Sequence, residues 1–140
     1  MSRKITFRTA LVFLLMGLAN PVSAGGVTED SIGAYYAAWT GGDVDKIMSY
    51  FSDTIAYADM ATGARSSGTA AVREFVQKFV DSYAGVQLVP ASITIGPASA
   101  AVEWVMSGGS GAEAWSVPGV CVFAIDGEKF SKATDYWNKE

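Results

Sequence analysis

The sequence predicts an α+β domain in which helices cover one face of an antiparallel sheet. Two observations predict it. The N-terminal half carries apolar residues at helical spacing, and after Gly85 the chain changes to β-branched and aromatic runs separated by Gly-containing turns. Within 140 residues nothing repeats and no long linker interrupts, so one domain is expected.

The first segment is expected to be removed. Arg3, Lys4 and Arg8 precede an apolar run from Ala10 to Ala19, followed by Asn20-Pro21 and the small-residue site Val22-Ser23-Ala24. That order is a secretory signal peptide, residues 1–24, which implies a periplasmic or secreted mature domain of residues 25–140. The apolar run is about half the ~20 residues that span a bilayer, so no membrane association of the mature form is expected. An uncleaved anchor is the other reading.

Helix signals come next. From Thr28, with Glu29 and Asp30 suiting a helix N-terminus, Ile32, Tyr35, Tyr36 and Trp39 form one stripe that "TGGD" ends. A short second helix would place Ile47, Tyr50 and Phe51 on one side. "TIAYAD" reads as a strand and "MATGARSSG" as a loop with a short strand segment. Thr69 is expected to cap a helix with Val72, Phe75, Val76, Phe79 and Val80 on one face.

Four strands follow: Val86–Ile95, Ala100–Ser107, Ala114–Ile125 and Lys129–Trp137. The last two are joined by "IDGEKF", where Asp-Gly accepts the positive φ of a tight turn. The second of these strands is apolar on both faces except for Glu103. A charged side chain there must reach water, pair, or lose its charge. A pocket wall and an exposed edge both satisfy that.

Composition narrows the chemistry. Without residues 1–24 the chain has 116 residues; three of the ten basic residues leave and all 14 acids stay, for a net charge of −7. No basic cluster is left to meet phosphates, so nucleic acid is not an expected partner. Cys121 is the single cysteine, which excludes an internal disulfide, and there is no histidine. A zinc site is therefore not expected, nor any other metal or cofactor, and acid–base work falls to Asp, Glu, Tyr, Cys or Lys.

In this order and length the elements resemble the nuclear transport factor 2-like superfamily. Those domains are cones: a curved antiparallel sheet covered by about three N-terminal helices, enclosing a pocket. SnoaL-like polyketide cyclases, limonene-epoxide hydrolases and ketosteroid isomerases share the fold. "YFSDTIAYADMATGARSSGTAAVREF" resembles the ketosteroid isomerases' strand ending in an acid, Gly-containing loop and helix start. The resemblance implies Asp59 as the base that moves a proton α to a ketone, and Tyr35 as the donor to the developing oxyanion. Cys121 falls where that family keeps a second donor, a protonated aspartate; a thiol is a weaker one. In "TDYWN", Asp135 resembles the last-strand acid of SnoaL-like cyclases, the general acid/base of an aldol ring closure. Epoxide hydrolases pair such an acid with an Arg and a second acid on a neighbouring strand. Here Glu103 has no Arg near it, so that set is incomplete.

Each candidate also has a structural reading. Asp59 could cap the loop Met60–Gly63, Asp135 could be a surface acid paired with Lys132 or Lys139, and Tyr35 could be core packing. Trp39, Trp104, Trp115 and Trp137 suit either a core or an aromatic-lined ligand site. Tyr57, Glu103 and Cys121 join them as expected substrate contacts. Two functions follow: proton transfer on a small apolar cyclic carbonyl compound, or a non-catalytic periplasmic domain that binds a hydrophobic ligand or protein partner. A homodimer through the outer face of the sheet is implied by the resemblance and by the surplus of apolar strand positions.

Overall fold

The computed structural model describes residues 25–138, so the signal-peptide reading lies outside the described residues. α1 (Glu29–Gly41) begins at Thr28, whose side chain accepts the Ser31 N–H at 3.1 Å while the Ser31 hydroxyl takes the Thr28 N–H at 2.9 Å. It ends at Gly42, which adopts the left-handed φ of 66° that only glycine takes without strain. α2 (Val44–Met48) is capped by Asp43, and it is shorter than its apolar stripe: Phe51 already belongs to β1 (Phe51–Asp59).

β2 (Ala64–Ser67) returns antiparallel along β1, and α3 (Thr69–Ser82) follows. The cap of α3 is Gly68 rather than Thr69. Gly68 donates its N–H to the Ile55 carbonyl at 2.8 Å and leaves the strand at φ 80°, a turn closed to a β-branched residue. Thr69 is thereby pushed into the first helical turn.

The other strands are β3 (Gln87–Ile95), β4 (Ser99–Gly108), β5 (Trp115–Asp126) and β6 (Lys129–Trp137), with a short 3₁₀ turn, Gly111–Glu113, before β5. They form one curved, open sheet in the order β2-β1-β6-β5-β4-β3. All neighbours are antiparallel except β1 and β6, which run parallel. In the β5–β6 turn only Gly127 takes a positive φ, 61°; Asp126 stays paired to Lys129. Pro90 lies on the edge strand β3, where a register shift follows it, and Pro118 lies just outside the β5–β6 pairing, which begins at Gly119.

The α+β cone expected from the sequence is therefore the fold. The helices lie on one face of the sheet, and the core fills the space between. Thr40 fastens the end of α1 to β3, donating its hydroxyl proton to the Leu88 carbonyl at 3.1 Å and accepting the Leu88 N–H at 2.9 Å. Alternation on β4 turns Val102, Trp104 and Met106 inward and Glu103 and Val105 outward. Glu103 is thus on the exposed face, away from the interior, which corrects its assignment as a substrate contact.

Candidate active site

The site is built where β1 and β6 run side by side. Their parallel register sets Asp59 opposite Asp135 and Tyr57 opposite Ala133. Alternation then turns Ile55, Tyr57 and Asp59 of β1, and Ala133, Asp135 and Trp137 of β6, toward the helices. Two carboxyl groups from opposite halves of the sequence therefore line one cavity. The aromatic stripe of α1 covers it, Phe75 and Phe79 of α3 close one side, and Leu88, Trp104 and Met106 come from β3 and β4.

The cavity is tight. Its volume is about 30 Å³, well below the ~300–1,000 Å³ of pockets for drug-sized ligands. Gly119 on β5 helps to shape it. It stands opposite Trp104, and a Cβ there would lie 2.3 Å from the indole, so the ring can lie across β5 only over a glycine.

Asp135 is the best-placed acid. It is partly buried, keeping some accessible surface where it lines the cavity, and the Tyr57 hydroxyl donates to its Oδ2. Loss of hydration pushes its carboxyl up to about 6 against donation from Tyr57 and Cys121, with the neighbouring charge of Asp59 also raising it and Trp104 lowering it. A carboxyl poised there exchanges protons near neutral pH. The surface reading of Asp135 fails because the side chain points inward, on the face opposite Lys132.

Asp59 also lines the cavity and is buried, but its Oδ1 has three donors: Trp137 Nε1 at 3.0 Å, Ala61 N at 3.0 Å and Thr62 N at 3.2 Å. It does what a loop-capping acid does and orients Trp137 as well. Its two roles in the sequence reading are compatible in space.

The phenols stay protonated. Burial raises the Tyr57 hydroxyl well above its ordinary value, as does the nearby Asp135 charge, so it remains a donor. Tyr35 is likewise raised by burial, and its ring meets Tyr36, Phe130 and Phe123 edge-on at 5.2, 5.4 and 5.6 Å between centroids. It is core packing that also lines the cavity. Beside it the Tyr36 hydroxyl has no hydrogen-bond partner, and Trp39 Nε1 has none of full hydrogen-bonding geometry, its polar neighbour being the Tyr35 hydroxyl. Both residues line the cavity and both are buried, at 2% and 5% exposure.

Trp39, Tyr57, Trp104 and Trp137 thus face the cavity as expected. Trp115 does not. It starts β5 at the far end of the sheet, 38% exposed, with its indole over Gly108 and its edge toward Tyr83. Cys121 does not line the cavity either; it stands behind Asp135 as its cross-strand neighbour and donates to it, its thiol pushed up by burial. Sequence reasoning passed over Tyr36, Phe75 and Phe79 as lining residues, since their helical spacing marks only burial.

The fold is shared with solved structures of low sequence identity. A protein of ketosteroid isomerase-like fold from Catenulispora acidiphila, in complex with trimethylamine, is 22% identical with a TM-score of 0.70, over 80% of this chain and 88% of that one. TerC, co-crystallised with polyporic acid, is 18% identical with a TM-score of 0.67, over 78% and 89%. An NTF2-like protein from Burkholderia xenovorans is 16% identical with a TM-score of 0.63, over 79% and 82%. No curated protein matches the chain. The family signature of the SnoaL-like domain covers residues 32–133, from the first buried residue of α1 to the middle of β6, and the chain belongs to this SnoaL-like family of the nuclear transport factor 2-like superfamily.

Proposed function

We propose that the domain takes up a compact carbonyl compound and moves a proton on the carbon next to the carbonyl, with Asp135 as the acid/base. The observation that carries this is the Asp135 carboxyl itself: facing the cavity, held by Tyr57 and poised at about 6. In its ionised form it takes the α-proton, and Tyr57 holds the carboxylate in place. The negative charge that develops on the substrate oxygen needs donors that are not already committed. The unpartnered Tyr36 hydroxyl and Trp39 N–H are two such donors. Tyr35, raised by burial, is a second phenol that stays protonated beside them. Asp59 sets the Trp137 wall through its hydrogen bond and is not the first base. The size of the cavity favours a small substrate over a fused-ring one.

Two further parts of the reading concern the protein's setting. Export by residues 1–24 would place the domain in the periplasm or outside the cell. The outer face of the sheet exposes Val89, Val105, Val122 and Tyr136 from four adjacent strands, and this face would be the contact of a homodimer.

The test is hydrogen–deuterium exchange at the α-carbon of small ketones and aldehydes in D₂O, followed by proton NMR with residues 25–140. Catalysed exchange should rise with pH through about 6 and fall ~10²–10⁴-fold in Asp135→Asn, the usual worth of a positioned base. Exchange that survives Asp135→Asn but is lost in Asp59→Asn would return the base to Asp59. Ligand binding without any exchange would make this a binding domain.

A further inference from the structure

The cavity also says something about the charge of its ligand. Its twelve lining residues comprise eight aromatics, two carboxyl groups, Leu88 and Met106; none is a Lys or Arg. The nearest arginine in sequence to the cavity loop, Arg65, is exposed and turns to the Met60 sulfur. Two acids in cross-strand register, with no basic partner in the wall among the described residues, leave a site that is short of positive charge. A buried carboxylate must pair, find water or take up a proton. An anionic ligand would add a third negative group, whereas a cation would balance the two present.

The walls suit a particular kind of cation. Aromatic faces attract alkylammonium groups through the ring quadrupole, most strongly for tryptophan and most strongly where water is excluded. Trp39, Trp104 and Trp137 supply indoles, and Tyr57 and Phe75 pack against one another at 4.8 Å between centroids. A second feature points to an oxygen on the same ligand. Tyr36 and Trp39 line the cavity, their hydroxyl and N–H are buried without a hydrogen-bond partner, and a ligand oxygen would supply one. The compact volume limits the ligand to a few heavy atoms around that nitrogen and oxygen.

We infer that this cavity selects a compact alkylammonium compound bearing an oxygen within a few bonds of its nitrogen. The aromatic rings and the two acids hold the cation, and Tyr36 and Trp39 hold the oxygen. The inference rests on the cavity being the ligand site proposed above, but not on proton transfer occurring there. If the oxygen is a carbonyl, the ammonium also acidifies the carbon between them, which suits a base of modest strength such as Asp135.

Choline and its uncharged carbon analogue, 3,3-dimethylbutan-1-ol, provide the test, because they share shape and hydroxyl and differ in charge. Calorimetry with residues 25–140 at pH 7.5 should show choline binding at least tenfold more tightly. The preference should shrink in Asp135→Asn and as the pH falls to 5, where Asp135 takes its proton. The groups facing Asp135 are Tyr57 and Asp59 from β1, Trp104 from β4, Cys121 from β5 and Tyr35 and Tyr36 from α1; the phenols and the thiol, all raised by burial, keep their protons across that range. Equal affinity for the two probes, tighter binding of the neutral one, or no binding of either overturns the inference in the wild-type protein, whatever the variant does. Catalysed exchange on neutral ketones with no choline preference would refute the cation and leave proton transfer standing. Choline preference without exchange would do the reverse.

Discussion

Replacing Asp135 by asparagine should make the protein more stable at neutral pH and leave it unchanged in acid. The carboxyl has an ordinary value of 3.8 and is raised to about 6 in the fold, chiefly by loss of hydration. An acid raised in this way keeps its proton better folded than unfolded. Its protonated form therefore contributes stability that is fully present below about pH 4 and is lost as the pH rises through about 6. The difference of about two pKa units, at ~1.36 kcal/mol each, makes the ionised carboxylate cost the fold about 3 kcal/mol above pH 7. Asparagine keeps the shape, accepts the Tyr57 hydroxyl on its carbonyl and carries no charge at any pH. Urea denaturation of both proteins at intervals from pH 4 to pH 8 reads the difference directly. The two curves should nearly coincide at pH 4 and separate by roughly 3 kcal/mol in favour of the variant at pH 8. A constant offset across that range, or a variant that loses ground as the pH rises, would show that the ionised carboxylate does not cost the fold this stability.

Three other outcomes follow from the same geometry. Tyr57→Phe removes the donor to Asp135 Oδ2; a hydrogen bond to a charged group is worth about 1.5–3 kcal/mol, so the Asp135 pKa should climb by about one to two units, seen by carbon NMR titration. Gly119→Val drives a branched side chain into the Trp104 indole, which a Cβ alone would approach to 2.3 Å; thermal melts should show a loss of about 1–3 kcal/mol, and ligand binding should go with it. Asp59→Ala leaves Trp137 Nε1 and the Ala61 and Thr62 amides without their acceptor; equilibrium unfolding should show a cost of about 1–3 kcal/mol, and Trp137 fluorescence should change.

The elements were legible because each carries its own period. Helical stripes on α1 and α3, and β-branched runs with glycine turns after Gly85, need no tertiary information. Asp135 was legible for a related reason: an acid between aromatics in the last strand conflicts with a simple core and invites a second explanation. What could not be read was the face each acid would take. Glu103 and Asp135 are both acids within apolar strands, and one residue of register decides between solvent and cavity. The parallel pairing of β1 with β6 was equally hidden, since it joins strands more than 70 residues apart in sequence. That pairing is what sets Asp59 level with Asp135 and makes two acids into one site. Trp115 shows the limit of composition: of the three strand tryptophans only Trp104 and Trp137, on the covered part of the sheet, line the cavity.

Asp135 is proposed to face the cavity as an ionisable group poised for proton transfer. Carbon NMR titration of aspartate-labelled protein, with Asp135→Asn to assign the resonance, tests this most directly. A midpoint near pH 6 is expected for Asp135. A midpoint at or below the ordinary carboxylate value of about 3.9 would contradict it, and with it the role of Asp135 as the acid/base.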